Sequence, residues 1–419
     1  MVAGGTRGDV EPLTEIVRGL TEAGHSVRFV TDALYRDSIE NCGAEWVDNG
    51  GPDPRTIIAA EAAGSRQWTR PPNRLRRLIY GWKHMGPSLD ALRWVSAQVK
   101  GSDVVLYNPM CSPAYIAAQG AGLPAILLSV STRQPSREHS KPVGPIFQHR
   151  HRLPAAYNLA VPWLFGVFDW SADRKWLRPW CAELGIPSPG LHEWVVQPRA
   201  PGLFGFSPHL LRRPADWPAN REVTGFWFSE ETRRRAASAL ERRSGQVPRK
   251  VYLYFGSNAV GEDPVIRDVI LPVLQELKLE LIEGSHGSGE GGRRVDYRDL
   301  LSEADIVIHH GGVGTSGLVA QFGCAHVIVP AFGEQRFWAA RMELAGLCPR
   351  VIPRSELDRD GFRAAMQAVM RDAGFATRAR NFGKLLLSEN GTEKATQRVL
   401  EMAASACADR SKGSNGIRA

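Results

Sequence analysis

A strand-then-helix alternation runs twice along this chain, once in each half, and it constrains the fold more than any other feature. The first run starts at "MVAGGTRGDVEPLTEIVRGLTEAGH", where a short apolar segment gives way to apolar residues at helical spacing, among them Leu13 and Ile16. The strand "SVRFVT", a helical segment over 35–42 and the strand "AEWV" follow. After a basic segment the pattern returns as "SDVVLYN", "SPAYIAAQGAG" and "PAILLSV". The second run opens at "KVYLYFGS" and continues through a helix over 264–277, the strand "LELIEG" and the loop "GSHGSGEGG". Then come "ADIVIHH", a glycine turn with its helix over 314–322, the strand "AHVIVPAF" and a helix over 336–346. Helices near 355–371, 378–387 and 392–404 close the body. Strands alternating with helices of this length make βαβ units and parallel sheets.

A length of 419 residues exceeds one ordinary core, so two α/β domains are expected. The reading is two Rossmann-like, doubly wound domains facing each other across a deep cleft, with ligands at the carboxyl ends of the strands. The divisions are an N-terminal domain over 1–214, a polar, arginine-rich connection over 215–249 and a second domain over 250–390. A helix over 391–407 and a frayed tail over 408–419 complete the chain. From about 131 to 214 the rhythm breaks into aromatic and proline-rich sequence carrying Trp163, Trp170, Trp176, Trp180 and Trp194. Those rings read either as the wall of a largely apolar pocket or as a satellite core.

The sequence contains no run of eighteen apolar residues, as a membrane-spanning helix would need. "MVAGGTRGDVEP" has neither the charged nor the apolar region of a signal peptide, and Cys42, Cys111, Cys181, Cys324, Cys348 and Cys407 have no metal-ligand spacing. A cytoplasmic protein with reduced cysteines and no bound metal is expected. The net charge of +8 is unevenly placed. Between Glu61 and Asp90 there is no acid, while Arg66, Arg70, Arg74, Arg76, Arg77 and Lys83 fall there. A second basic stretch, "SREHSKPVGPIFQHRHR", follows at 136–152. Such segments suit a solvated face, an acidic acceptor or an anionic membrane surface. Nucleic acid is disfavoured, because no recognition helix or aromatic RNA-binding motif accompanies the charge.

The chemistry concentrates in "DIVIHHGGVGTSGLVAQFG", 305–323. Glycines where a buried strand meets a helix let backbone N–H groups approach an anion, and the helix N-terminus adds about half a positive charge. No Lys-Ser or Lys-Thr follows the glycines, so this is not a P-loop, and it is not G-x-G-x-x-G. Gly312, Gly314 and Thr315 offer backbone and hydroxyl donors, and His310 an imidazole. Ser257, ending "FGS", would sit at the same sheet edge. In "PAFGEQ", Glu334 and Gln335 are placed at the end of the strand after the glycine helix, where an acid and an amide could grip vicinal hydroxyls. Two phosphates and a polyol in one α/β domain describe a nucleotide sugar.

"GTRGDVEP" near the start and "HHGGVGTSGLVAQFGCAHVIVPAFGEQRFWAARMELAG" near the end resemble the GT-B fold nucleotide-sugar glycosyltransferases. Within them the similarity is to the branch of the sterol glucosyltransferases and bacterial natural-product glycosyltransferases. It extends through "VTGFWF" and "SENGTEKATQRVLE" and covers most of both halves, but little of 66–214. The resemblance implies inverting, metal-independent transfer of a sugar from a UDP- or dTDP-sugar to an acceptor hydroxyl. The nucleotide sugar is then a co-substrate, and no other cofactor is implied. His310 matches the histidine that binds the diphosphate, Gly312, Gly314 and Thr315 the phosphate-cradling turn, and Ser257 the serine beside it. Glu334 and Gln335 match the pair that holds the sugar hydroxyls, with Glu where sterol-type relatives usually carry Asp. The intact pair suits a hydroxyl-rich hexose such as glucose. Arg294 falls near the place where many relatives stack the nucleobase on an aromatic ring, so arginine stacking or Tyr297 would serve, with backbone contacts around Val295 and Asp296.

Asp9 in "DVEP" stands where many relatives carry a histidine base, and in this branch an aspartate there is the proposed base. Thr6, Arg7 and Gly8 beside it would line the cleft. A carboxylate is a weak base near neutrality unless burial raises its pKa. Asp9 also reads as a plain N-cap with Pro12 in the first turn. His139, His149 and His151 are fallback bases that otherwise read as surface residues. The expected acceptor is a hydrophobic specialised metabolite, or else a sterol or lipid met at a membrane surface. A nucleotide-sugar epimerase or hydrolase, and a non-catalytic nucleotide-sugar-binding partner protein, are the competing readings. An NAD-dependent oxidoreductase fails on the missing dinucleotide fingerprint.

Overall fold

The computed structural model describes residues 1–50, 87–132, 134–140, 153–197, 200–243, 250–255, 264–282, 296–331 and 333–415. Two parallel sheets organise them. In the first, β1 (Arg28–Thr31) pairs with β2 (Glu45–Asp48), and β3 (Val105–Tyr107), β4 (Ala125–Ser129), β5 (Gly202–Phe204) and β6 (Arg221–Val223) follow side by side. Val2 joins the two parts, bridging Val30 on one side and Tyr107 on the other. The opening strand is thus a short central rung. In the second sheet the order is β10 (Ala325–Ile328), β9 (Ile306–His309), β7 (Lys250–Tyr254), β8 (Glu280–Ile282). Every pairing in both sheets is parallel. Helices cover both faces of such a sheet, which is why β4 and β9 read as continuous apolar runs and are buried throughout.

The helix Arg7–Glu22 buries Val10, Leu13, Ile16, Val17 and Leu20, a stripe at helical spacing. The 215–249 stretch is more than a connection. It supplies β6 and the helix Glu230–Arg242, whose Ser229 cap accepts a hydrogen bond from the Thr232 amide at 3.1 Å. The final helix, Gly391–Asn415, runs past Cys407 and remains helical where the sequence suggests fraying. It lies along Arg7–Glu22, and Arg398 grips Glu222 of β6 through both carboxylate oxygens. The cluster that buries Val10, Phe206 and Trp217 of the first half also takes in Trp338, Met342 and Val399 of the second. Phe206 meets Trp338 at 5.3 Å between ring centroids, and His139 meets Phe337 at 5.7 Å.

The aromatic region resolves into core and surface. Trp176, Trp180 and Trp194 are buried, so these three serve packing, and only Trp163 and Trp170 are partly open. Most of the region forms one long helix, Ala155–Glu183, which leaves Leu164, Phe165, Val167 and Phe168 exposed, Leu164 by 70%. Among the described residues no helix is long and apolar enough to cross a membrane. All six cysteines are free.

Glu389, at the entrance to the last helix, hydrogen-bonds buried Ser207 of the first half. Burial pushes its pKa from the ordinary 4.5 up to about 7, against hydrogen bonds from Ser207 and the Phe226 backbone and the nearby Lys394 charge. A raised folded-state pKa means that the folded chain holds its proton longer than the unfolded chain as pH rises. Stability is therefore full below 4.5 and falls to a lower plateau above about 7. Thermal melts from pH 5 to 8 should show this fall, on the order of 1 to 3 kcal/mol, and Glu389→Gln should flatten it.

Candidate active site

The register pairs Tyr254 of β7 with His309 of β9, so the residues that follow both strands emerge at one sheet edge. There the chain turns through Gly311, at φ 82°, into the helix Val313–Gln321, with Gly312 as N-cap. A side chain at Gly311 would stand 2.8 Å from Ile328 Cγ2 and 3.1 Å from the Gln335 carbonyl, and its φ lies in the left-handed region. Only glycine fits. Gly312 passes under the His310 ring: a Cβ there would lie 2.7 Å from Nε2. A Cβ at Gly314 would meet nothing within 4 Å. Gly314 and Thr315 sit in the first turn, whose amides have no acceptor within the helix, the arrangement that suits an anion. His310 is half-buried. Burial pulls its pKa below the ordinary 6.5, opposed by a hydrogen bond with the Tyr254 backbone, so the ring is neutral at pH 7.

Glu334 and Gln335 do not end the strand as the sequence suggests. Strand β10 stops at Ile328, and both residues lie in the first turn of the helix Gly333–Leu344. The apolar run "VIVP" outlasts the pairing because β9 has no partner residue left beyond His309. Gln335 Oε1 accepts the Ala331 N–H at 2.9 Å, and its carbonyl backs onto Gly311, so the two motifs share one wall.

Asp9 belongs to the other half. Thr6, with extended backbone, is the N-cap of Arg7–Glu22, and Asp9 is its third residue. The Asp9 carboxylate reaches back and accepts from the Thr6 N–H and hydroxyl, both at 2.9 Å, the acid's part in a capping box. This corrects the simple N-cap reading and puts Pro12 beyond the first turn. Gly5, at φ 114°, makes room: a Cβ there would lie 2.8 Å from Asp9 Oδ2. Thr6, Arg7 and Gly8 are exposed at this helix start, with Arg7 3.6 Å from Glu11. Burial pushes the Tyr254 phenol up to about 12, and the Glu11 charge adds to it while Arg7 opposes. Tyr297 is raised in the same way, by burial first and by Glu11 next. Both rings belong to the second half, and the helix Arg7–Glu22 packs against the helix Val313–Gln321, so the Asp9 helix lies beside the glycine turn that carries His310. Tyr254 lies 6.5 Å from His310, ring to ring, a neighbour that the sequence reading passed over although it directly precedes "FGS".

Ser257, Arg294 and Val295 lie outside the described residues, as do His149, His151 and the basic 66–83 segment. Asp296 caps the helix Tyr297–Glu303, accepting the Arg298 N–H at 2.9 Å. Burial works against its ionisation, but the Arg298 hydrogen bonds and the Arg298 and Arg235 charges outweigh it and hold the carboxyl low. The carboxylate is therefore committed to arginines, and Arg298 also covers the Tyr297 ring at 5.7 Å. His139 is no surface residue. It is 3% exposed between Trp217 and Phe337, and burial, with the Arg341 charge, pulls its pKa down to about 4.

No family model matches this chain. Among curated proteins it is 28% identical over 414 residues to the O-mycaminosyltylonolide 6-deoxyallosyltransferase of Streptomyces fradiae, covering 95% of this chain and 96% of that one. It is 26% identical over 433 residues to a sterol 3-beta-glucosyltransferase of Arabidopsis thaliana, covering 95% of this chain but 64% of the plant protein. Among solved structures, the glycotransferase of kitacinnamycin superposes with a TM-score of 0.66 at 20% identity, covering 96% of this chain and 98% of that one. The glycosyltransferase VinC, solved in complex with dTDP, gives 0.63 at 15% identity, covering 96% and 99%. The fold is GT-B, and the homologues include both macrolide and sterol glycosyltransferases.

Proposed function

We propose that this glycosyltransferase of the natural-product and sterol type moves a hexose from a UDP- or dTDP-sugar to a hydroxyl of a hydrophobic acceptor, with inversion and without a metal. The observation that carries the reading is the shared edge at His310. A glycine turn and a helix N-terminus would face an anion there, the Gln335 wall adjoins them, and the helix that carries Asp9 packs beside them. The diphosphate would take the amides of Val313, Gly314 and Thr315 together with His310, and Glu334 and Gln335 would hold the sugar hydroxyls. Ser257 is assigned to the diphosphate as well, and Arg294 with the backbone around Val295 and Asp296 to the nucleobase. The acceptor oxygen attacks the anomeric carbon as the bond to the diphosphate oxygen breaks. Negative charge grows on the leaving group, where the helix N-terminus and a neutral imidazole stabilise it most.

Asp9 takes the acceptor proton in this scheme. Its two bonds to Thr6 hold the carboxylate in place at the helix start, and the helix gains about 1 kcal/mol from the same cap. Asp9→Asn keeps a side-chain oxygen for Thr6 but cannot accept the proton. Turnover should fall about a hundredfold or more while the melting temperature moves little. Turnover equal to wild type would remove Asp9 from the mechanism. Calorimetry with UDP-glucose and dTDP-glucose identifies the donor, and failure of both to bind would overturn the reading. A membrane-delivered sterol or lipid acceptor is the second reading, favoured by the exposed Leu164, Phe165, Val167 and Phe168. A cytoplasmic location goes with the first.

A further inference from the structure

The other histidine of the "HH" pair turns inward. His309 is fully buried, and so is His326 on the neighbouring strand β10. The register pairs His309 with Ile328, which puts His326, two residues earlier, on the same face. His309 Nε2 lies 3.0 Å from His326 Nδ1, and His309 Nδ1 accepts the Gly311 N–H at 3.1 Å. Those bonds assign the tautomers. A ring that accepts at Nδ1 carries its proton on Nε2, so His309 donates to His326 Nδ1 and His326 carries its own proton on Nε2. Burial keeps both rings neutral, and the nearby imidazoles reinforce this at His309. Among the described residues nothing accepts from His326 Nε2. Burying such a donor is unfavourable, and apolar side chains would fill strands β9 and β10 as their neighbours do. The pair has one outlet, the N–H of Gly311, at the left-handed residue from which the whole glycine turn hangs.

We infer that His326 and His309 form a positioning relay: His326 fixes the His309 tautomer and rotamer, and His309 in turn fixes Gly311, aiming His310 and the amides of the following helix. Neither ring touches substrate. The inference rests on the reading of the turn as the donor diphosphate site. Ile328 and the Gln335 carbonyl leave no room for a side chain at Gly311, and His309 Nδ1 holds its N–H by a hydrogen bond. Hydrogen bonds in series in a dry interior strengthen one another, so loss of the outer ring is felt at the inner amide.

The test compares His326→Leu, which offers no acceptor, with His326→Asn, whose Oδ1 can occupy the place of Nδ1. In the leucine variant the Gly311 amide should exchange faster, and the donor KM and the Kd for dTDP or UDP should rise roughly tenfold to a hundredfold. The acceptor KM should stay as in wild type, and asparagine should restore most of the donor affinity. Nitrogen-15 spectra of the wild-type imidazoles should show His309 protonated at Nε2 and bare at Nδ1. A proton on His309 Nδ1, or a folded leucine variant with wild-type nucleotide affinity and Gly311 exchange, would overturn the relay. Failure of the donor-site reading would look different. No form would bind either nucleotide, yet Gly311 exchange would still separate leucine from asparagine and so support the relay.

Discussion

Replacing His310 with alanine is expected to cut glycosyl transfer by about a hundredfold to a thousandfold, the usual cost of one donor aimed at developing charge. The variant keeps the helix N-terminus and its free amides, so nucleotide binding should weaken less than turnover. The imidazole matters most when the sugar–phosphate bond breaks and the diphosphate gains charge, which makes the loss fall on kcat. Burial keeps the ring neutral near pH 7, so wild-type activity should not follow a titration at His310's ordinary 6.5. Gly312 passes directly under the ring, and alanine opens space there without straining the turn. Structural collapse would therefore not explain the loss. Steady-state kinetics with calorimetric binding of dTDP and UDP checks this. Turnover within a factor of about two of wild type would remove His310 from the leaving-group site.

Replacing Arg221 with methionine should destabilise the N-terminal half by about 3 kcal/mol or more. Arg221 is fully buried on β6, and among the described residues its guanidinium forms no ion pair. It donates instead to Gln134 Oε1 at 2.9 Å, to the Ala200 carbonyl, and to the carbonyls of Val196 and Gln197 at 2.9 and 2.7 Å. It thereby ties the end of the helix Leu191–Val196 to the start of β5. Burial lowers its pKa, because the buried site disfavours the charged form. Methionine fills similar volume but leaves the carbonyls buried and unpaired. Lysine, a point charge without a planar fork, cannot satisfy them together and should also destabilise. A melting-temperature loss of roughly 6–12 °C is expected for a domain of this size, and a loss under about 1 °C would show that the carbonyls find other partners.

Much of the architecture was legible because periodicity is local. The apolar stripe of Arg7–Glu22 and the continuous runs of β4 and β9 announce themselves within a few residues, and parallel sheets follow from their alternation. The glycine turn was legible for the same reason, since strand end, glycines and helix start are consecutive. The cap at Thr6 was not. Asp9 and Thr6 are both good caps, and the choice depends on Gly5 adopting a positive φ that lets the carboxylate fold back. The tryptophans stayed ambiguous because an aromatic residue serves a pocket or a core equally well, and only tertiary packing put Trp176, Trp180 and Trp194 in the core.

The sequence by itself determined the βα rhythm, the two halves and the glycine turn between strand and helix, because each is written in neighbouring residues. Only the tertiary structure decided what the histidines do. His309 and His310 are adjacent in the chain, yet successive residues point opposite ways, so one turns to the cleft and the other to His326 on the next strand. His139, plain in a basic segment, is buried against Phe337 from the far half. Such roles depend on strand register and on the meeting of distant segments, and those are settled by burial across the whole chain rather than by any local pattern.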